Sequence, residues 1–241
     1  MAAMPHRDPA PALADPRLIV ALDVSTRREA EAMVERLGDA VSFYKIGLQL
    51  LAAGGMDLAR EMKTNGWRLF LDWKLHDIGA TVERAAANIV AAGACDFLTV
   101  HAEPQVLAAA VRGRAGEASV KILGVTVLTS LTDEDLTQIG YDQKLRDLVE
   151  RRVRQSLDAG ADGVVVSPRE AALARRVGGR GCLIVTPGVR PTWAGKDDQA
   201  RAATPAEALS AGASHIVCGR PITAAPDPRA AALTMAAEMA G

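Results

Sequence analysis

The strongest constraint on the fold is a rhythm. Eight short apolar runs, rich in β-branched residues, recur along the chain, and Ala-rich segments with helical signals fill most of the intervals. The runs are Leu18 to Asp23 (LIVALD), Val41 to Ile46, Trp67 to Lys74 (WRLFLDWK), Asp96 to His101, Val120 to Leu128, Gly163 to Ser167, Cys182 to Thr186 and His215 to Gly219. Gly-Ala pairs at 93–94, 160–161 and 212–213 stand just before the fourth, sixth and eighth runs. A Gly there ends a helix, and a short turn returns the chain to the sheet. Strand, helix, Gly-Ala, strand is the unit from which parallel sheets are wound. The helical signals agree. Ser25 or Thr26 can cap a helix running to about Leu37, and Thr81 to Ala92 and Leu145 to Ala159 have helical patterns. Pro168 and Thr204-Pro205-Ala206-Glu207 mark helix starts, and Pro226 to Ala240 closes the chain.

Eight strands in roughly 200 residues favour a closed α/β architecture, a single-domain (β/α)8 TIM barrel over residues 17–241. An open doubly wound sheet is the alternative. No GxGxxG follows the first run, which weakens a dinucleotide-binding assignment. Residues 1–16 are rich in Ala and Pro and broken by Arg7, Asp8 and Asp15. They have no signal-peptide apolar stretch and are expected to form a disordered lead-in.

Composition narrows the partners. A net charge of −1 on 241 residues leaves no broad electrostatic footprint for nucleic acid or anionic membrane. Aromatic residues, at 3%, are too sparse for base-stacking platforms. No apolar run reaches transmembrane length. Cys95, Cys182 and Cys218 are odd in number and lack CxxC spacing, so neither a disulfide framework nor a zinc site is expected. Buried reduced thiols in a cytoplasmic protein fit better. His6, His76, His101 and His215 show no HxxxH or HExxH spacing, and no metal site is expected. An anionic ligand must then be held by a local cluster.

Polar residues end most of the runs: Asp23, Lys45, Asp72 with Lys74, His101, Ser167 and Thr186, with Gly219-Arg220 after the eighth. Barrel chemistry gathers at the C-terminal ends of the strands. Asp72 and Lys74 are two apart on one strand and therefore share a face, and alternation from Phe70 turns both inward. A lone D-x-K is commonly a weak surface ion pair. A charged cluster closing an apolar strand, with Asp77 three residues on, makes that less fitting here. Lysine is scarce, six of 28 cationic residues, yet Lys45 and Lys74 both lie at strand ends beside carboxylates. Lysine can release a proton where arginine effectively cannot, so one or both positions are expected to require lysine; a buried structural Lys–Asp pair is the competing explanation. After the last two runs, Thr186-Pro187-Gly188-Val189-Arg190-Pro191 and Gly219-Arg220-Pro221-Ile222 supply close-approach glycines and guanidinium forks where barrels often hold phosphate.

From Leu18 to Met239 these residues resemble the orotidine 5′-phosphate decarboxylase family, in its bacterial form. FLDWKLHDIGATV, residues 70–82, is similar to the family's D-x-K-x-x-D signature. VALD at 20–23, YKIG at 44–47, VTVLTS at 125–130, VTPGVRP at 185–191 and VCGRPIT at 217–223 follow in the family's order. Gly79-Ala80 stand where Pro-Asn is usual, Trp73 where Leu is, and Asp197-Asp198-Gln199 where Gly-Asp-Gln is. None of these departures removes a charged residue of the signature.

The resemblance implies a cofactor-independent conversion of orotidine 5′-monophosphate to UMP. It implies that Asp23 and Lys45 contact ribose hydroxyls and that Lys45, Asp72, Lys74 and Asp77 form an alternating charge network. It places Asp77, Ile78 and Thr81 at the partner's site in a homodimer. Thr129 is expected on the pyrimidine, and Arg190, Gln199, Gly219 and Arg220 at the phosphate, with Arg220 the principal charge. Loss of CO2 leaves a carbanion at C6 with no carbonyl to delocalise it, so preorganised charge must stabilise it. Lys74 is the expected cation and proton donor, kept charged by Asp72 and Asp77. Two rivals share the barrel: a Mg-dependent sugar-phosphate decarboxylase or synthase of the same superfamily, and a non-catalytic phosphate-ligand binder.

Overall fold

The computed structural model describes residues 14–193 and 203–240. Eight parallel strands close into a barrel in sequential order. They are β1 (Leu18–Ala21), β2 (Phe43–Gly47), β3 (Arg68–Leu75), β4 (Phe97–His101), β5 (Lys121–Val125), β6 (Gly163–Val165), β7 (Leu183–Pro187) and β8 (His215–Cys218). β8 pairs back on β1 through Leu18–Ile216, Ile19–Val217 and Val20–Cys218. Each predicted run corresponds to one strand, with β2, β3 and β7 extending one residue beyond it. The fifth and sixth strands are shorter than their runs because the chain leaves the ladder at Val125 and Val165, and the remaining apolar residues climb into loops. The expected lead-in, residues 1–16, lies outside the described residues as far as residue 13. At its end, Arg17 already grips Asp15 through a bidentate pair, Nη2 to Oδ2 at 2.6 Å.

Helix boundaries follow cap chemistry. Thr26 starts Arg27–Leu37 and Thr204 starts Pro205–Ser210, each in a reciprocal capping box with a Glu three residues on. The helix expected from Thr81 begins two residues earlier and spans Gly79–Ala91. Pro168 opens a single 3-10 turn before the helix Ala171–Gly178.

Strand alternation sorts the apolar residues into two cores. The outer faces of the strands pack under the helices. The inner faces fill the barrel with Ile19, Ala21, Phe43, Phe70, Phe97, Leu123, Val185 and Val217. Phe97 meets Phe43 and Phe70 edge-on, with ring centroids 5.0 and 6.0 Å apart. Below them Arg68 lays its guanidinium 4.1 Å over the Phe43 ring, and His215 stands edge-on to Phe97 at 5.1 Å. The barrel is therefore a packed plug, not a pore.

The N-terminal rim carries a repeated anchor. Before β4, β6 and β8, the side chains of Asp96, Asp162 and Ser214 accept the backbone N–H of Leu69, Ile122 and Ile184 on the preceding strand. A cation from the helical segment that leads into that preceding strand, Lys63, Arg114 or Arg175 respectively, bonds to each of the three. Small size matters at this rim too. A Cβ on Gly163 would sit 2.1 Å from the Leu183 carbonyl oxygen. With the bottom fixed this way, the opposite rim is left to bind and react.

Candidate active site

The ladder breaks once on the way to that rim. β3 pairs with β4 through Leu71–Leu98 and then Leu75–Val100, so residues 72, 73 and 74 oppose Thr99 alone. Lys74 sits within this bulge at φ 48°, a left-handed conformation that few non-glycine residues adopt. Alternation nevertheless survives: Phe70 faces the barrel interior, Trp73 packs outward under the helices, and Asp72 and Lys74 both open on the mouth.

Four charges run in a chain across the rim. Asp23 Oδ1 lies 2.9 Å from Lys45 Nζ. Lys45 Nζ lies 3.5 Å from Asp72 Oδ2, and the same oxygen is 2.9 Å from Lys74 Nζ. Lys45 is buried, with a side chain 9% exposed, and Asp72 nearly so at 14%, whereas Lys74 reaches further out at 27%. Gly47 makes room for the chain: a Cβ there would come within 3.0 Å of Asp23 Oδ1 and 3.1 Å of Lys45 Nζ. Burial alone would raise the Asp72 carboxyl. The charges of Lys45 and Lys74, with hydrogen bonds from Lys74 and Thr99, outweigh it and hold the group below its ordinary value.

These groups line a cavity of about 440 Å³ at the C-terminal mouth. Val125, Val127, Val165, Pro187 and Val217 supply apolar wall, while Gly188, Arg190, Gly219, Arg220 and Thr223 lie on the loops after β7 and β8. The cavity thus pairs a charged chain with an arginine-bearing pair of loops, joined by apolar surface. This suits a ligand with a reactive polar group, a flat or apolar middle and an anionic end.

Of the expected site residues, Asp23, Lys45, Asp72, Lys74, Thr129, Arg190, Gly219 and Arg220 meet at this cavity. Asp77, Ile78 and Thr81 stand outside it and are exposed. Among the described residues no ion pair joins Asp77 to Lys74; its Oδ1 accepts the Ile78 N–H at 2.6 Å. Within one protomer the expected four-membered network therefore ends at Asp23, not Asp77. Gln199 lies outside the described residues. Three polar strand ends do not serve the cavity. His101 stacks on His76, 4.8 Å between centroids, Ser167 bonds Glu170, and the Thr186 side chain is buried away from the mouth. Sequence reasoning also missed Thr99, which is wholly buried beneath the charge chain. Nothing in a polar residue at mid-strand marks it as different from a packing threonine.

Residues 16–235 match the family model described as orotidine 5′-phosphate decarboxylase / HUMPS. The chain belongs to this family. Relatives named orotidine 5′-phosphate decarboxylase are close throughout. That of Caulobacter sp. (strain K31) is 68% identical over 228 residues, covering 95% of this chain and 99% of its own. That of Rhodopseudomonas palustris (strain BisA53) is 53% identical over 231 residues, covering 96% and 97%. The crystal structure of orotidine 5′-phosphate decarboxylase from Lactobacillus acidophilus superimposes with a TM-score of 0.83 at 35% identity, covering 94% of this chain and all of that one. The charge chain and the arginine-bearing loops therefore stand in an orotidine 5′-phosphate decarboxylase-family barrel. Among the described residues no helix is long and apolar enough to cross a membrane.

Proposed function

We propose that this chain decarboxylates orotidine 5′-monophosphate to UMP in pyrimidine biosynthesis, without a cofactor, and that Lys74 is the proton donor. The observation that carries the reading is the position of Lys74 Nζ, at the cavity and 2.9 Å from Asp72 Oδ2. The C6–carboxylate bond breaks, CO2 departs, and the electron pair stays at C6. The Lys74 ammonium opposes that charge and transfers a proton to C6, and the neutral amine regains a proton from water. An ammonium held in place before the reaction needs no reorganisation when the charge develops. Asp72, fixed between two lysines, sets the position of that ammonium.

The rest of the cavity supports the same substrate. Asp23 and Lys45 present a carboxylate and an ammonium suited to ribose hydroxyls. Thr129 offers a hydroxyl to the pyrimidine. Arg190 and Arg220, with backbone at Gly188 and Gly219, suit the phosphate. Gln199 is assigned to the same phosphate end on family resemblance. Asp77, Ile78 and Thr81 are assigned to the neighbouring site of a cytoplasmic homodimer. In support, Ile78 is 72% exposed immediately after Asp77, an apolar side chain placed to meet a partner.

Purified protein is mixed with orotidine 5′-monophosphate in the presence of a chelator, and loss of the orotate absorbance is followed. Turnover that is indifferent to the chelator and abolished by Lys74→Ala supports the reading. No turnover, or turnover that requires added Mg2+, sinks it. Sedimentation of the same sample reads the dimer.

A further inference from the structure

We infer that Thr99 is a positioning residue for the reaction: its hydroxyl holds the β3 bulge and so places both Lys74 and Asp72. This deepens the decarboxylase reading and rests on it. Thr99 Oγ1 accepts the backbone N–H of Lys74 at 3.0 Å and donates to Asp72 Oδ1 at 3.0 Å. The side chain is completely buried on β4, directly opposite the three bulged residues.

Each bond has a consequence. In an unbroken parallel ladder the amide of Lys74 would turn toward β2, as the amide of Arg68 does toward the Ser42 carbonyl. In the bulge that amide goes to the Thr99 hydroxyl. A buried amide without a partner is costly, so this bond is what makes the left-handed backbone at Lys74 tolerable. The second bond fixes one carboxylate oxygen. With Oδ1 held by Thr99, Oδ2 is turned toward Lys45 and Lys74 together. One hydroxyl thereby orients the proton donor through its backbone and the carboxylate through its side chain. The Leu71 carbonyl oxygen, at 3.5 Å from Oγ1, is the weaker acceptor for the same hydrogen.

The test compares Thr99→Val, which keeps the shape and loses the hydroxyl, with Thr99→Ser, which keeps the hydroxyl. In Thr99→Val, kcat for orotidine 5′-monophosphate falls roughly tenfold to a hundredfold, as a donor displaced by a fraction of an ångström would dictate. KM and the affinity for UMP change by less than about threefold, because the buried hydroxyl does not line the cavity. Thr99→Ser stays within about threefold of the unsubstituted protein in kcat. Hydrogen exchange of a peptide spanning residues 72–76 reads the bulge without reference to activity. It accelerates in Thr99→Val and not in Thr99→Ser. If Thr99→Val does not fold, Thr99→Ala carries the same expectations. Equal kcat in the two variants, losses in UMP affinity matching those in kcat, or unchanged exchange would overturn the inference. An unsubstituted protein that does not turn over the nucleotide defeats the decarboxylase reading instead, and the exchange result still decides the role of the hydroxyl in the bulge.

Discussion

Asp72 is the hinge of the charge chain, and Asp72→Asn is the substitution whose cost the geometry predicts most directly. The carboxylate has lysine ammoniums 2.9 and 3.5 Å from one oxygen. At an effective dielectric near 20 these contacts amount to about 6 and about 5 kcal/mol before desolvation. Taking the carboxylate out of water cancels much of that, and the partial exposure of Lys74 screens more. What remains on removing one member of a buried pair is roughly 3–5 kcal/mol, because the other charges are left uncompensated. Asn keeps an oxygen for Thr99 but turns an NH2 toward the two ammoniums. Lys45 retains Asp23, and Lys74 can move toward solvent, so the lower end applies, about 3 kcal/mol. For a chain of this size that corresponds to a fall in Tm of roughly 6–12 °C. Urea unfolding at pH 7 measures it directly. The pH dependence gives a second check. The folded Asp72 carboxyl is held below its ordinary value of 3.8, so its contribution is fully present above about pH 4 and fades as the pH falls through the folded value. The gap between the two proteins should therefore be flat at neutral pH and close only in acid. Adding Lys45→Met to Asp72→Asn should recover part of the loss, because the buried Lys45 ammonium is then opposed only by the half-exposed Asp23 carboxylate. A loss under about 0.5 kcal/mol for Asp72→Asn, or a double variant weaker than the single one, would refute the electrostatic account.

Two further outcomes are expected. If Arg220 holds the phosphate as proposed, Arg220→Ala should depress turnover of orotidine 5′-monophosphate far more than turnover of phosphate-free orotidine, since energy from that end would be used at the ring; equal losses on both substrates would contradict that assignment. At the opposite rim, burial beside Arg68 pushes the His215 imidazole down to about 4, so the folded protein loses about 3 kcal/mol relative to the unfolded chain as pH falls from 6.5 to about 4. His215→Phe, which keeps the ring packing against Phe43 and Phe97, should flatten that slope in urea titrations, and an unchanged slope would contradict it.

The barrel was legible in the sequence because its signals are local and repeated. Gly-Ala turns, Thr-x-x-Glu caps and β-branched runs each fix one element, and eight repetitions leave little freedom in how the elements assemble. Asp72 and Lys74 were legible for the same reason, since period-two alternation is a property of a single strand. Where a residue's role depends on a neighbouring strand, legibility failed. His101, Ser167 and Thr186 end strands as Lys45 does, but ring stacking, a local hydroxyl–carboxylate bond and an outward face take them away from the cavity. Asp77 shares the D-x-K-x-x-D spacing, yet three residues past the bulge it has left the mouth of its own barrel. The bulge and Thr99 left no trace, because register is a relation between strands that no single segment encodes.

The placement of the charge chain on the aromatic plug has a physical logic of its own. Phe43, Phe70 and Phe97 lie beneath Lys45 and Asp72, so apart from the Thr99 hydroxyl the chain meets an apolar interior on one side and the cavity on the other. An apolar floor weakens screening from below, and a ligand filling about 440 Å³ would displace the water that screens from above. The field at Lys74 is then strongest when the cavity is occupied. Asp72 must remain ionised through that change, and it is the member of the chain with a second anchor, the Thr99 hydroxyl on one oxygen and two ammoniums on the other. A carboxylate held on both oxygens cannot swing away as the site dries. On the proposed mechanism, the ammonium beside it would thereby stay aimed at C6 as the anion forms.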